Sequence, residues 1–293
     1  MRSAVLEPDD ALVWDVACPK RPSRVPGVTM AGFRDRGRAP DGHRLVPYPA
    51  VTLALDFGPG PPVVDDATGR RHRGSLVVGL GLSGSVWVRG ENLECVQVRL
   101  SPLVAGEILG VCPADLDGVM VSLDDLWGRE ASRIGEQLAD VSTWEERFAL
   151  TDALLARRRA AGPAVDPEVA WAWGRILASR GRARVELLAT ELGWSRKRLW
   201  SRFGAQIGLA PKQAAKLVRF DHAAHRLAAG HGPARVAADG GYADQSHLHR
   251  DVMAFTGVTP AIVAGEPWLS VDDVAWTGRE TQHPKASLRT GRP

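Results

Sequence analysis

Apolar residues recur along the chain at two periods, and the change from one to the other divides it. Val51, Leu53, Leu55 and Phe57 alternate with other residues, as do the stretches VWV at 86–88 and VQVRL at 96–100, which is the spacing of strands. The segment DFGPGPPVVDDATGRRHRG, which follows the first of these, is predicted to be turns and a long hairpin loop. The Pro-, Gly- and Arg-rich first fifty residues are predicted to be loops and edge strands. From about Ser101 the spacing lengthens: Leu123, Leu126 and Trp127, then Ile134 and Leu138, then Trp144, Phe148, Leu154 and Leu155 fall at helical intervals. The stretch RRRAAGPAVDP at 157–167 carries charge, Gly and Pro, and ends in Asp166-Pro167, a good helix start. A domain linker is placed there. The predicted class is α+β: a β-rich N-terminal domain with trailing helices over 1–160, then an all-α C-terminal domain over 165–265. The tail, 266–293, shows no sustained period and is expected to be poorly ordered, with Trp268 and Trp276 able to pin part of it.

The C-terminal domain contains two units of helix, turn and helix. In VELLATELGWSRKRLWSRFGAQIG (185–208), Leu187, Leu188 and Leu192 give an apolar face, Gly193 a tight turn and Ser195 an N-cap for the second helix. Leu199 and Phe203 point inward, which turns Lys197, Trp200 and Ser201 outward together. About fifty residues later PARVAADGGYADQSHLHRDVMAF (233–255) repeats the arrangement, with Gly240-Gly241 at the turn and Asp244 as N-cap. Leu248, Val252 and Phe255 face inward there and Gln245, Ser246, His249 and Arg250 outward. Gln pairs bidentately with adenine and Arg with guanine, so this face has the chemistry for reading base edges.

These residues resemble the AraC/XylS transcription regulators. GYADQSHLHRDVMAFTGVTP (241–260) looks like that family's signature, LGWSRKRLWSRFGAQIGLAP (192–211) matches its first unit, and KLVRFDHAAHRLAAG (216–230) resembles the helix that joins the two. Val252 stands where the signature usually has Phe, and AIVAG (261–265) lacks the Tyr-Arg pair that often closes the domain. The resemblance implies a sequence-specific DNA-binding regulator, not an enzyme. Its first recognition helix would contribute Lys197, Trp200 and Ser201 and its second Gln245, Ser246 and Arg250, in two successive major grooves. Arg196, Arg198, Arg202, Lys212 and Lys216 are candidates for phosphate contacts. More loosely, residues 81–128 resemble the β-rich sensing or dimerising module of some AraC-like regulators, which implies a small-molecule effector, and the family likeness adds RNA polymerase as a partner.

Charge fits that expectation. The chain carries a formal +3, yet 171–265 holds 14 Lys+Arg against 6 Asp+Glu, so the rest is acidic. Cys18, Cys95 and Cys112 are far apart and odd in number, so they form neither a disulfide framework nor a metal knuckle and are expected to be buried thiols. No metal and no cofactor is expected. His247 and His249 lie on different helix faces, His222 and His225 lack a ligand cluster, and there is no Gly-rich phosphate loop or GxSxG elbow. No apolar run spans a bilayer and the N-terminus carries early acids, so a cytoplasmic location is expected. The amphipathic stretch 134–155 suggests a homodimer. Two other readings stay open: a DNA-alkylation acceptor, for which Cys18 is the sole candidate nucleophile, and a sequence-blind architectural protein.

Overall fold

In a computed structural model, the described residues are 4–5, 14–35, 42–159 and 165–276. Among these described residues the N-terminal region contributes eleven strands: β1 (Ala4–Val5), β2 (Trp14–Ala17), β3 (Val28–Asp35), β4 (His43–Leu45), β5 (Val51–Asp56), β6 (Val63–Asp65), β7 (Arg71–Arg73), β8 (Leu76–Val78), β9 (Val86–Arg89), β10 (Glu94–Leu100) and β11 (Met120–Ser122). They form two antiparallel sheets, ordered β1-β2-β3-β10-β5-β8-β11 and β4-β9-β6-β7. β10 is central, pairing Val98 with Met30 on one side and with Leu53 on the other. Val96, Val98 and Leu100 are fully buried, as the period of two predicts.

Two expectations for this region change. β3 is an eight-residue interior strand, not an edge or a loop; the Pro and Gly residues at 22–27 precede it and only end the preceding turn. The expected long hairpin loop holds a short hairpin of its own, β6 against β7, turned by 66–69, where the Asp66 carboxylate accepts from the Thr68 and Arg70 N–H groups.

Helices follow: α1 (Pro102–Leu109), a 3-10 turn (Pro113–Leu116), α2 (Leu123–Trp127), α3 (Arg129–Asp140) and α4 (Trp144–Arg159). Ile134, Leu138, Phe148, Leu154 and Leu155 are buried in the same core as Leu53 and Val98. The stripe expected to pair between subunits is therefore covered by the chain's own sheet. The cysteines depart from expectation as well. Cys18 and Cys112 are exposed, at a strand end and at the start of the 3-10 turn, and Cys95 is half-buried on β10 beside Asp56, its thiol pushed up to about 12 by desolvation and then by that carboxylate.

The rest is helical: α5 (Pro167–Ala178), α6 (Val185–Glu191), α7 (Arg196–Ile207), α8 (Pro211–Ala228), α9 (Pro233–Gly240), α10 (Gln245–Thr256), α11 (Pro260–Ala264) and α12 (Pro267–Trp276). The fold is thus α+β, β-rich first and all-helical after. Irregularity expected from 266 does not hold over α12, because Trp268 packs against Trp14 and Phe33 (ring centroids 5.5 and 5.2 Å) and Leu269, Val271 and Ala275 are buried. Residues 277–293 lie outside the described residues. His43 is buried in the same aromatic cluster. Among the described residues no helix is long and apolar enough to cross a membrane, and no three His, Cys, Asp or Glu side chains are grouped to hold a metal.

Candidate nucleic-acid interface

α6 and α7 make the first compact unit. Gly193 is left-handed (φ +64°) and its N–H donates to the Thr190 carbonyl (3.0 Å), closing α6. Ser195 Oγ then accepts from Arg198 N–H (3.2 Å), the N-cap that starts α7. Leu199, Phe203 and Ile207 are buried, with Phe203 against Trp173 of α5. Of the three leucines expected on the apolar face of α6, Leu188 is buried but Leu187 is 56% exposed, because it lies one residue, roughly 100°, round the helix from Leu188.

The outward face of α7 carries Arg196, Lys197, Trp200 and Ser201, all exposed. Trp200 is 61% exposed, more than any other large apolar side chain among the described residues.

The second unit repeats this geometry. Gly241 is left-handed (φ +74°) with its N–H on the Ala237 carbonyl, and the Asp244 carboxylate accepts from His247 N–H (2.7 Å) to start α10. His247 is structural: its Nδ1 accepts from Ala243 N–H (3.3 Å) and its ring stands edge-on to the buried Tyr242. Leu248 and Val252 are buried and Phe255 stacks on Phe220 of α8 (4.7 Å). Gln245, Ser246, His249 and Arg250 are exposed together. α8 holds both units. Its Arg219 and Lys216 reach the buried Asp251 of α10 at 2.7 and 3.3 Å.

Between the units, along α8, lies an open cleft of about 1190 Å³ whose lining is dominated by Arg182, Arg184, Arg196, Lys197, Lys212 and Lys216, with Trp200 on it and Glu186 its one acid. Arg182 and Arg184 were not singled out from sequence; the run RGRARVE (180–186) was their signal. They stand in the turn between α5 and α6, where Gly181 (φ +72°) has no room for a Cβ: it would lie 2.2 Å from the Ala215 carbonyl oxygen of α8.

The phosphate candidates divide. Arg196 and Lys212 line the cleft free of any ion pair within 4 Å among the described residues, whereas Lys216 lines it while paired to Asp251. Arg198 lies over the Trp194 ring (4.5 Å). Arg202 turns the other way, to the Asp166 carboxylate at the start of α5 (2.6 Å); against desolvation, hydrogen bonding from Gln206 and then Arg202 holds that carboxyl below its usual range.

Residues 188–264 match the family model of a helix-turn-helix domain. The C-terminal region is a helix-turn-helix domain of the AraC type. No curated protein sequence matches the chain. Among solved structures the chain is similar to ToxT from Vibrio cholerae O395 (TM-score 0.47, 11% identity, covering 86% of this chain and 99% of that one). It is also similar to wild-type ToxT with bound unsaturated fatty acid from Vibrio cholerae strain SCE256 (TM-score 0.44, 10% identity, 89% and 97% covered). The AraC-like transcriptional activator CuxR is more distant (TM-score 0.27, 17% identity, 68% and 83% covered).

Proposed function

We propose that the chain is a sequence-specific DNA-binding transcription regulator, with residues 165–265 as the DNA-binding domain and 1–160 as a sensing domain. The observation that carries this reading is the cleft: a basic hollow runs along α8 from the exposed face of α7, with its solvated Trp200, to the start of α10 at His247. The Trp200 ring stands among Arg196, Lys197 and Lys212, an aromatic face beside cations of the kind on which a base or sugar can stack. A polyanion that follows the cleft would neutralise its arginines and lysines, with α7 and α10 in successive major grooves. Lys197, Trp200 and Ser201, then Gln245, Ser246 and Arg250, would meet base edges, and Arg196, Arg198 and Lys212 phosphates. Arg202 and Lys216 would join them only by exchanging Asp166 and Asp251 for phosphate.

The regulator would answer a small molecule in the N-terminal domain. A hollow of about 40 Å³ there is lined by Tyr48, Thr52 and Gln97, and the buried Gln97 Oε1 has no hydrogen-bond partner among the described residues. It has room for two or three waters. A larger effector would have to displace its wall at 78–82. RNA polymerase is the expected further partner.

Titration of a random-sequence duplex at several salt concentrations tests the electrostatic half of this proposal. Affinity should fall steeply with salt, with a logarithmic slope of roughly −4 or steeper. A slope near zero would contradict it.

A further inference from the structure

Both second helices end on the N-terminal region, and they end alike. α7 stops at Gly208 (φ +92°) and α10 at Gly257 (φ +71°), each left-handed. A Cβ on Gly208 would stand 2.5 Å from the Pro113 carbonyl oxygen, so the end of α7 is seated on the 3-10 turn, where Cys112 Sγ also lies 3.5 Å from the Ala205 carbonyl. At the other helix, Gly84 N–H donates to the Phe255 carbonyl (3.1 Å), and a Cβ on Gly257 would meet Ser85 N at 3.5 Å. Arg44 of β4 completes this seat. Its buried guanidinium donates to Ser85 Oγ and to Glu266 (2.7 Å), lies over Trp87, and stands 3.5 Å from the Thr256 carbonyl at the negative end of α10.

The two seats are parts of one piece. Gly118 N–H donates to the Leu80 carbonyl (2.7 Å) and Gly79 N–H to the Val119 carbonyl (3.0 Å), which ties the segment 79–85 to the residues that follow the 3-10 turn. A Cβ on Gly79 would stand 1.7 Å from the Leu116 carbonyl oxygen, and one on Gly81 would stand 2.8 Å from Leu209, just past α7. Backbone packed this closely does not slide. A helix end held in such a seat cannot shift along the duplex unless the seat opens.

We infer that the N-terminal region fixes the relative placement of α7 and α10, and so determines which spacing between two base blocks the protein accepts. Arg44, Gly84 and Pro113 are then positioning residues for spacing specificity and touch no DNA themselves. This rests on the DNA-binding reading. One added base pair moves the second block by roughly 3.4 Å and about a tenth of a turn, a change that two loosely tethered units absorb and two seated helices do not.

The test uses the full chain and its variant Arg44→Met with Glu266→Gln, which removes the Arg44 seat without leaving a buried charge alone. Both are offered duplexes with the two preferred blocks at varied spacing. The wild type should favour one spacing about tenfold over its neighbours one base pair away, and the variant at most about threefold, with preferences inside each block unchanged. A variant that unfolds as cooperatively as the wild type yet keeps the tenfold preference overturns the inference. So does a wild type indifferent to spacing. Hydrogen exchange over 253–258 in the DNA-free chains reads the seat independently: it should quicken in the variant, and unchanged exchange overturns the seat itself. A wild type that prefers no sequence at all refutes the DNA reading instead, and exchange still decides the seat.

Discussion

Arg99 on β10 is paired with Asp272 on α12, joining the central strand of the larger sheet to the last described helix. The guanidinium lies between the rings of Tyr48 (3.6 Å) and Trp276 (4.2 Å), and both partners' side chains are almost wholly buried. His225 of α8 stands 3.5 Å from the same carboxylate, so the helix that joins the two helix-turn-helix units is drawn into the contact. Removing one partner of a buried pair leaves the other desolvated and unpaired. Asp272→Asn should lower stability by about 3–5 kcal/mol in urea unfolding, and Arg99→Met with Asp272→Leu should recover most of the loss. Equal losses in the single and double variants would show that shape, not charge, holds α12.

His43 gives the fold a pH dependence. Burial among Trp14 and Trp268 lowers its pKa to about 4, against an ordinary 6.5. Between those values the unfolded chain binds a proton that the folded chain refuses, so stability is full above about 6.5 and falls as pH drops through that range to 4. The loss reaches roughly 3 kcal/mol. Asp56 and Asp221, each pushed up to about 6 by burial, act in the opposite sense between about 4 and 6. Comparing wild type with His43→Phe cancels that background: the variant should lose less stability on going from pH 7 to pH 4.5, and parallel curves would contradict the assignment.

The two classes of DNA contact should separate. Arg250, exposed on α10 with its Nε on the Ser246 carbonyl (3.4 Å), is assigned to a base; Lys212, on the cleft, to phosphate. Arg250→Ala should relax preference at one base position by about 1–3 kcal/mol, while Lys212→Ala weakens all sequences alike. Competition binding with single-base variants of a preferred site distinguishes them, and equal losses across all sequences for both would contradict the roles.

Arg182 and Arg184 carry the same expectation for the floor of the cleft. Changing both to Ala should reduce the logarithmic salt slope by roughly 2 without altering sequence preference. Binding isotherms at three salt concentrations measure it, and an unchanged slope would place them off the DNA path.

How much of this was legible in the sequence depends on how local each feature is. Ser195 and Asp244 as caps, Gly193 and Gly241 as turns, and the inward Leu199, Phe203, Leu248 and Val252 all act within one or two helical turns, and each is seen in place. β3 was hidden because its burial depends on β10, some sixty residues later, while the Pro and Gly before it suggested a loop. α12 was hidden for a stronger reason: Trp14, Phe33 and Arg99, which hold it, lie more than 170 residues away. The cleft was equally out of reach, since Arg182 and Lys212 share a surface only once Gly181 lets the turn press on α8.

Selection of bound duplexes from a random pool, followed by titration of the winner at two salt concentrations, tests the central claim most directly. The expected result is a motif of two base blocks about one helical turn apart, bound at least about a thousandfold more tightly than random duplex. A pool that emerges with no motif, or a winner bound no better than random sequence, would contradict it.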